Sequence, residues 1–566
     1  MIPRLATRGK LVLGTALLFL IVGALPREAN NATPPLVGLG GLVLAVLCAL
    51  YLAFYPTAIL LRRKKIELSW WVPPGDQPGG ALAVDRPFQL HLAFRNHGSR
   101  KLRILSTRIL GATGLAIDER PSATVKRGQQ VEVTTGVRPL AAGYHVLHGA
   151  ALTFGDGLGL LEIEAFFPNP IAVKVFPRTM ALRGQPTRAL GGALHEQVGM
   201  HHVRRRGLSG ELRELREHTH GDPFKFIAWK ATARRQQLMV RDLENEIVVT
   251  QVAVIDVGAG MRAGALGATP LDWACDAAAT LAKTALGGGD RIGLVAFDTR
   301  PLCELKPDTG HHHYLQIVDR LLDTRSIVDA DLTDVTAGEL VALVARYLAH
   351  QEAIDVRVKN PPPLDDARWT QIQAGPDGQL YDVAATGRLC KRLIELVGGR
   401  GQGARANEKK VRLPVVVEDD AQLRPLRQLC RMRGIELPYR TTWDHGRRAE
   451  GFAAAVERAV ASGRPDVVVI VSDLAGLGED EARTKRALAR LRRAAGHVVA
   501  LVPSPAAFLP AAVTPHGRRV RELVTRDLRD ATEPGRRLLV KHGITVLEAS
   551  PLISLDQLLY GRKMAA

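Results

Sequence analysis

Leu36 to Leu61 is a run of 26 almost wholly apolar residues, broken only by Pro56 and followed at once by Arg62-Arg63-Lys64-Lys65. As a helix it spans about 39 Å, enough to cross a bilayer core of about 30 Å with some tilt. A shorter run, Leu11 to Leu25, follows Arg4, Arg8 and Lys10 and reaches only about 23 Å. Between the two lies Pro26-Arg27-Glu28-Ala29-Asn30-Asn31, poor in positive charge. Basic residues therefore flank the outer ends of both runs, which puts both ends in the cytoplasm by the positive-inside rule. The expectation is a two-pass hairpin (residues 1–65) in the plasma, or inner, membrane, with the bulk of the chain cytoplasmic. A cleaved signal followed by a single span is the competing reading, and it would export the rest.

The remaining 500 or so residues read as globular: 46% of the whole chain is apolar and 23% charged, which excludes wholesale disorder. The net charge of +19 favours anionic neighbours without choosing among lipid, nucleic acid and acidic protein. Five scattered cysteines form no CxxC pair, so neither a disulfide scaffold nor a structural zinc site is expected.

From residue 66 to 178, short alternating runs such as Phe88 to Phe94 and Val131 to Thr134 stand between Gly, Pro and Asn punctuation, the pattern of an antiparallel β-sandwich. Residues 179–248 read as a linker. Beyond it, Val249 to Ile255, Ile292 to Phe297, Asp466 to Val471 and His497 to Val502 are β-branched runs suited to strands buried on both faces. Alternating with helical stretches, the last of them expected at Gly535 to Lys541 and Ser554 to Tyr560, they predict a doubly wound parallel sheet over 249–325 and 447–566. Residues 326–446, with Pro361-Pro362-Pro363 and the glycines of 398–403, interrupt it as an insertion.

Ligands in such sheets sit at the carboxyl ends of the strands. Two runs end in acid there, at Asp256 and at Ser472-Asp473. Neighbouring carboxylates with hydroxyls suit a hard cation such as Mg²⁺. This arrangement resembles the von Willebrand factor type A domain, whose first strand ends in Asp-x-Ser-x-Ser. Here Gly258 and Gly260 stand at the serine positions, so a degenerate site, with its acids capping helices or pairing with basic loops, is the favoured reading. The resemblance implies a threonine ligand, for which Thr333, Thr441 and Thr442 are candidates, with Asp256, Asp473 and Thr333 the provisional set.

Gly210 to Arg241 reads GELRELREHTHGDPFKFIAWKATARRQQLMVR. It resembles the signature of the bacterial family catalogued as domain of unknown function 58: Gly210, Glu211, Leu215, Arg216, Gly221, Asp222, Ile227, Trp229, Ala233 and Arg234 match. His218 replaces the usual tyrosine and Lys225 the usual arginine. Gly155 to Leu160 resembles the segment closing that family's β-rich region. Two readings of the signature stay open. In one, Arg216 and Asp222 form an internal clamp with Ile227 and Trp229 as core anchors; in the other, Arg216, Asp222, Lys225, Trp229, Lys230 and Arg234 form a partner-binding surface.

The resemblance implies a membrane-anchored, non-catalytic adaptor or scaffold. Its partners would be a MoxR-type AAA+ ATPase and other type A domain proteins, in assembly or maturation of protein complexes. The alternative is a membrane-surface module that binds anionic lipid or envelope precursors through basic patches. No catalytic residue is assigned, no cofactor is expected beyond a possible Mg²⁺, and no GxxxxGK[ST] loop occurs. The basic helix carrying Lys485, Arg486, Arg490, Arg492 and Arg493 lacks interleaved aromatics, so no specific nucleic acid is expected. Three adjacent histidines, His311 to His313, cannot all face one ion from a helix.

Overall fold

The computed structural model describes residues 3–24, 33–63, 65–72, 82–98, 101–117, 120–156, 158–179, 212–220, 222–243, 248–352, 354–363, 365–399, 416–461, 463–551, 553, 555 and 558. The chain divides into two compact units, Met1–Pro177 with Arg325–Thr441, and Arg178–Thr324 with Thr442–Ala566.

The first unit begins with a strand, Pro3–Leu5, paired antiparallel with Leu161–Phe176. Helices Thr7–Gly23 and Thr33–Arg63 follow. Within the second, Leu36–Tyr55 is long and apolar enough to cross a membrane. Its outward side chains are apolar too, Leu36, Leu39 and Phe54 among them, which fits hydrocarbon better than water. Tyr51 donates a 2.6 Å hydrogen bond to Asp156, whose other oxygen accepts the Leu160 amide at 2.8 Å. The Gly155 to Leu160 segment thus ties this helix to the β-structure.

That structure comprises two sheets, antiparallel throughout except where Leu82–Ala83 pairs parallel with Leu161–Phe176. One runs Pro3–Leu5, Leu161–Phe176, Gly143–Gly155, Leu102–Gly111 and Ala123–Val125, with Leu82–Ala83 beside Leu161–Phe176. The other runs Ile66–Trp71, Phe88–Asn96, Gln130–Pro139 and Leu115–Ile117. Phe88, Leu90, Leu92 and Phe94 are buried while Gln89 and Arg95 are exposed, as a two-residue period dictates.

Residues Arg325–Thr441 belong to this unit, not to the sheet domain whose sequence they interrupt. Helices Ala337–Tyr347, Val383–Gly399 and Arg424–Arg433 close on a core that includes Leu340, Val341, Cys390, Leu426 and Leu429. Its two ends meet where Thr333 bridges Tyr439. Polar contacts fasten it to the β-structure: His148 Nδ1 lies 3.2 Å from the Tyr347 hydroxyl, and Thr113 donates to Glu436 at 3.1 Å. The glycine-rich residues 400–403 lie outside the described residues.

In the second unit one six-stranded sheet has the order Pro301–Asp308, Arg291–Phe297, Thr250–Asp256, Val467–Val471, His497–Pro503, Thr545–Ala549. All neighbours are parallel except Pro301–Asp308, which turns back antiparallel on Arg291–Phe297. Four central strands carry almost uninterrupted buried Val, Ile, Leu and Ala, because helices cover both faces. Helix Pro270–Gly287 starts in a capping box between Thr269 and Asp272. The helix expected at Gly535 instead begins at Pro515 and continues through Pro534 to Lys541. Most of the expected helix Ser554 to Tyr560 lies outside the described residues.

Candidate functional site

Strand order reverses between Thr250–Asp256 and Val467–Val471, which lie side by side with Ile255 opposite Val471. Their carboxyl ends therefore bring Asp256 beside Ser472 and Asp473. Asp256 Oδ2 accepts from Ser472 Oγ at 2.6 Å and Oδ1 from the Gly258 amide at 2.9 Å. Asp473 Oδ1 accepts the Ala475 amide at 3.0 Å. Leu474, next in the chain, has a left-handed φ of 59°, a strained state held by its amide's bond to Ser472 Oγ.

The residue that completes this crevice comes from helix Arg447–Ala461. Arg448 Nη2 donates to Asp256 Oδ2 at 2.6 Å and to Asp473 Oδ1 at 3.2 Å, while its Nε lies 3.9 Å from Asp298 Oδ1. All four side chains are buried. Burial, more than anything else, pushes Asp256 up to about 7; the carboxylates of Asp473 and Asp298 add to it and Arg448 pulls the other way. Nothing in the sequence around Arg448 marked it, since its partners lie as far as 192 residues away and the helix holds other arginines.

These residues do not fit a divalent ion. The inward oxygens of Asp256 and Asp473 already receive the guanidinium and the serine hydroxyl. Gly258 and Gly260 supply no side-chain oxygen, and a Cβ at Gly258 would strike Arg448 while one at Gly260 would strike the Asp473 carboxylate. The crevice therefore brings Asp256 and Asp473 together but not Thr333, which sits in the first unit. There its hydroxyl donates to Asp329 O at 2.7 Å and accepts from Arg427 at 2.8 Å.

The second candidate is the signature segment. Strands Leu212–Glu217 and Met239–Leu243 pair antiparallel and enclose a single 3₁₀ turn, Phe224–Phe226, and helix Trp229–Arg235. Arg216 clamps Asp222 with two donors, at 2.8 and 2.6 Å, and the Thr219 amide and hydroxyl add bonds of 2.9 and 3.0 Å. The Arg216 bonds first, then the Thr219 amide, hold the Asp222 carboxyl well below the ordinary carboxylate range. Arg216 and Asp222 thus face each other, and Ile227, Met239 and Val240 are the buried anchors.

Trp229 is not an anchor: it is 65% exposed, and Phe224 is 75% exposed. Lys225, Lys230, Arg234 and Arg235 stand exposed on the same short stretch, with Lys225 Nζ 4.9 Å from the Phe226 ring centre. Gly210, Glu211 and Gly221 lie outside the described residues. Of the three histidines, His313 is buried against Ile292 O at 2.7 Å, while His311 and His312 are exposed.

Residues 214–346 match the family model described as "Protein of unknown function DUF58". Over 105 residues the chain is 30% identical to "Uncharacterized protein YeaD" of Bacillus subtilis (strain 168). That stretch is 18% of this chain and 25% of the relative, so the chain spans about a quarter of the curated relative's length. Among solved structures, the FixG-related protein from Vibrio parahaemolyticus is 11% identical, covering 19% of this chain and 96% of that one, with a TM-score of 0.13. Native alpha-2-macroglobulin from Escherichia coli, from domain MG7 to the C-terminus, is 11% identical over 84% of this chain and 54% of that one, with a TM-score of 0.16. Similarities this slight carry no argument about fold.

Proposed function

From the match of residues 214–346 to the DUF58 family model, a family of unknown function, we propose that this chain is a membrane-anchored, non-catalytic adaptor that docks an acidic partner on its signature segment. The observation that carries this reading is the exposure of Phe224 and Trp229 among Lys225, Lys230, Arg234 and Arg235, in the same segment as the Arg216–Asp222 clamp. Exposed tryptophan beside fixed positive charge is the composition of a binding hot spot. A partner that fits presents carboxylates around an apolar pocket. A MoxR-type AAA+ ATPase and other type A domain proteins are the partners implied by the family resemblance.

The membrane part of the proposal is a two-pass hairpin with the bulk of the chain cytoplasmic. The strand before the first helix pairs with Leu161–Phe176, and the strand after the second pairs with Phe88–Asn96. Both belong to one unit, which supports both outer ends lying on one side of the bilayer. The positive charge of Arg4, Arg8, Lys10 and Arg62 to Lys65 supports the cytoplasm as that side. A type A-like reading of the second unit draws on its doubly wound sheet with one antiparallel edge and on the acids at its reversal point.

A second reading has its own observation. Arg464, Arg486, Arg490 and Arg493 line an open hollow of about 450 Å³, a setting suited to the phosphate of an anionic lipid. Capture of the tagged chain from mildly solubilised membranes, with ATP and Mg²⁺ present, separates the two. An AAA+ ATPase held by the parent and lost from Phe224→Ala/Trp229→Ala supports the adaptor. An ATPase that stays with the double variant, or recovery of anionic lipid alone, counts against it.

A further inference from the structure

Asp256, Asp298 and Asp473 converge on one crevice, buried together, and three uncompensated carboxylates in such a place would be prohibitive. We infer that the Arg448 guanidinium is the resident cation of this crevice, standing where a divalent ion would otherwise neutralise the acids, and that this face of the protein works without metal. The inference is independent of the adaptor reading.

Geometry supplies the first support. A divalent ion collects about six oxygens at about 2.0–2.6 Å. Here the guanidinium occupies the centre instead, at hydrogen-bonding distance from Asp256 and Asp473, with Asp298 at 3.9 Å from its Nε. Ser472, the hydroxyl nearest to a ligand position, spends its proton on Asp256 Oδ2 and its lone pair on the Leu474 amide.

The glycines supply the second. A side chain at 258 would overlap the guanidinium, with Arg448 Cζ 2.7 Å from the added carbon, and a side chain at 260 would overlap the Asp473 carboxylate. Gly258 and Arg448 are therefore one device: the residue that withholds an oxygen from an ion also makes the room that the arginine fills, while Gly260 makes room for the Asp473 carboxylate that the arginine pairs with. Because arginine stays protonated throughout the physiological range, the cation is permanent. One nitrogen, Nη2, donates to both Asp256 and Asp473, while Nε faces Asp298 at 3.9 Å, so a single guanidinium spans the three acids. Removing metal should then leave the crevice, and whatever binds over it, unchanged.

The test uses the full chain in mild detergent, stripped with EDTA and titrated with Mn²⁺ by calorimetry and electron paramagnetic resonance. The expected result is no stoichiometric Mn²⁺ site and one unfolding midpoint shared by EDTA, Mg²⁺ and Mn²⁺ samples. One Mn²⁺ per chain at micromolar affinity, abolished by Asp256→Asn, overturns the inference. Arg448→Met should lower the midpoint in EDTA, and Mn²⁺ or a second change, Asp256→Asn, should recover part of the loss. An Arg448→Met protein as stable as the parent in EDTA also overturns it. Gly258→Ala should destabilise the parent but cost little in an Arg448→Ala background; equal costs in both refute the shared-space argument. Should the Arg448 variants fail to fold, the Mn²⁺ titration of the parent decides alone.

Discussion

Ile227 and Trp229 lie two residues apart in the signature segment, and they should behave oppositely when cut back to alanine. Ile227 is 3% exposed and bridges Val240. Ile227→Ala removes three carbons worth about 0.8 kcal/mol each in transfer, and the residual cavity brings the cost to about 3 kcal/mol. Trp229 is 65% exposed, so only about a third of its contact area is at stake. At about 25 cal/mol per Å², that third is worth at most about 1–2 kcal/mol, part of it returned by alanine's better helix propensity. Hydrogen exchange on peptides spanning residues 212–243 reads the difference locally, which suits a chain built of two compact units. Exchange near Val240 should quicken about 100-fold in Ile227→Ala, at about 1.4 kcal/mol per tenfold, and about tenfold or less in Trp229→Ala. Equal acceleration by the two variants would refute the assignment of Trp229 to the surface.

Three further outcomes follow from the same structure. The buried pair Glu418–Arg427 also holds Val328 O and Thr333, so Glu418→Gln should cost the first unit about 3–5 kcal/mol in urea unfolding. Replacing both with Leu and Met should cost far less; equal losses would mean that the pair is not an isolated ionic unit. Asp256, raised by burial to about 7, keeps a proton in the folded state that the unfolded chain releases near pH 4. Its stabilising contribution is therefore full below about pH 4 and is lost as pH rises through about 7, so the midpoint of the second unit should fall over that range less steeply in Asp256→Asn. Lys225→Glu with Lys230→Glu should abolish partner capture while leaving exchange in the segment unchanged, and capture by the parent should weaken with salt. Salt-insensitive capture would mean that charge plays no part.

Some of this was legible in the residues. The β-branched runs ending in Asp256 and Asp473 carry their own strand period and end in acid, so their convergence follows from a parallel sheet. Arg448 was not legible, because a lone arginine in a basic helix has no local mark of what it will meet. The docking of residues 325–441 on the β-structure was hidden for a related reason: its fastenings, Thr113 to Glu436 and His148 to Tyr347, are polar pairs distant in sequence. Whether Trp229 faced inward or outward stayed open because the helix that bears it has seven residues, too few for a 3.6-residue period to reveal its inner face. Pro3–Leu5 is a strand of three residues with no alternation to read; its pairing comes from the sheet edge it meets.

Docking through the signature surface is tested most directly by a photoreactive residue placed at position 229 in living cells, with position 520 as control. Val520 is 59% exposed, comparable to Trp229, and lies in helix Pro515–Lys541 of the same unit. The predicted result is a protein adduct at 229, absent at 520, whose partner carries an acidic surface and whose yield falls with Lys225→Glu. Adducts only to lipid at 229, or the same adducts at both positions, would contradict it.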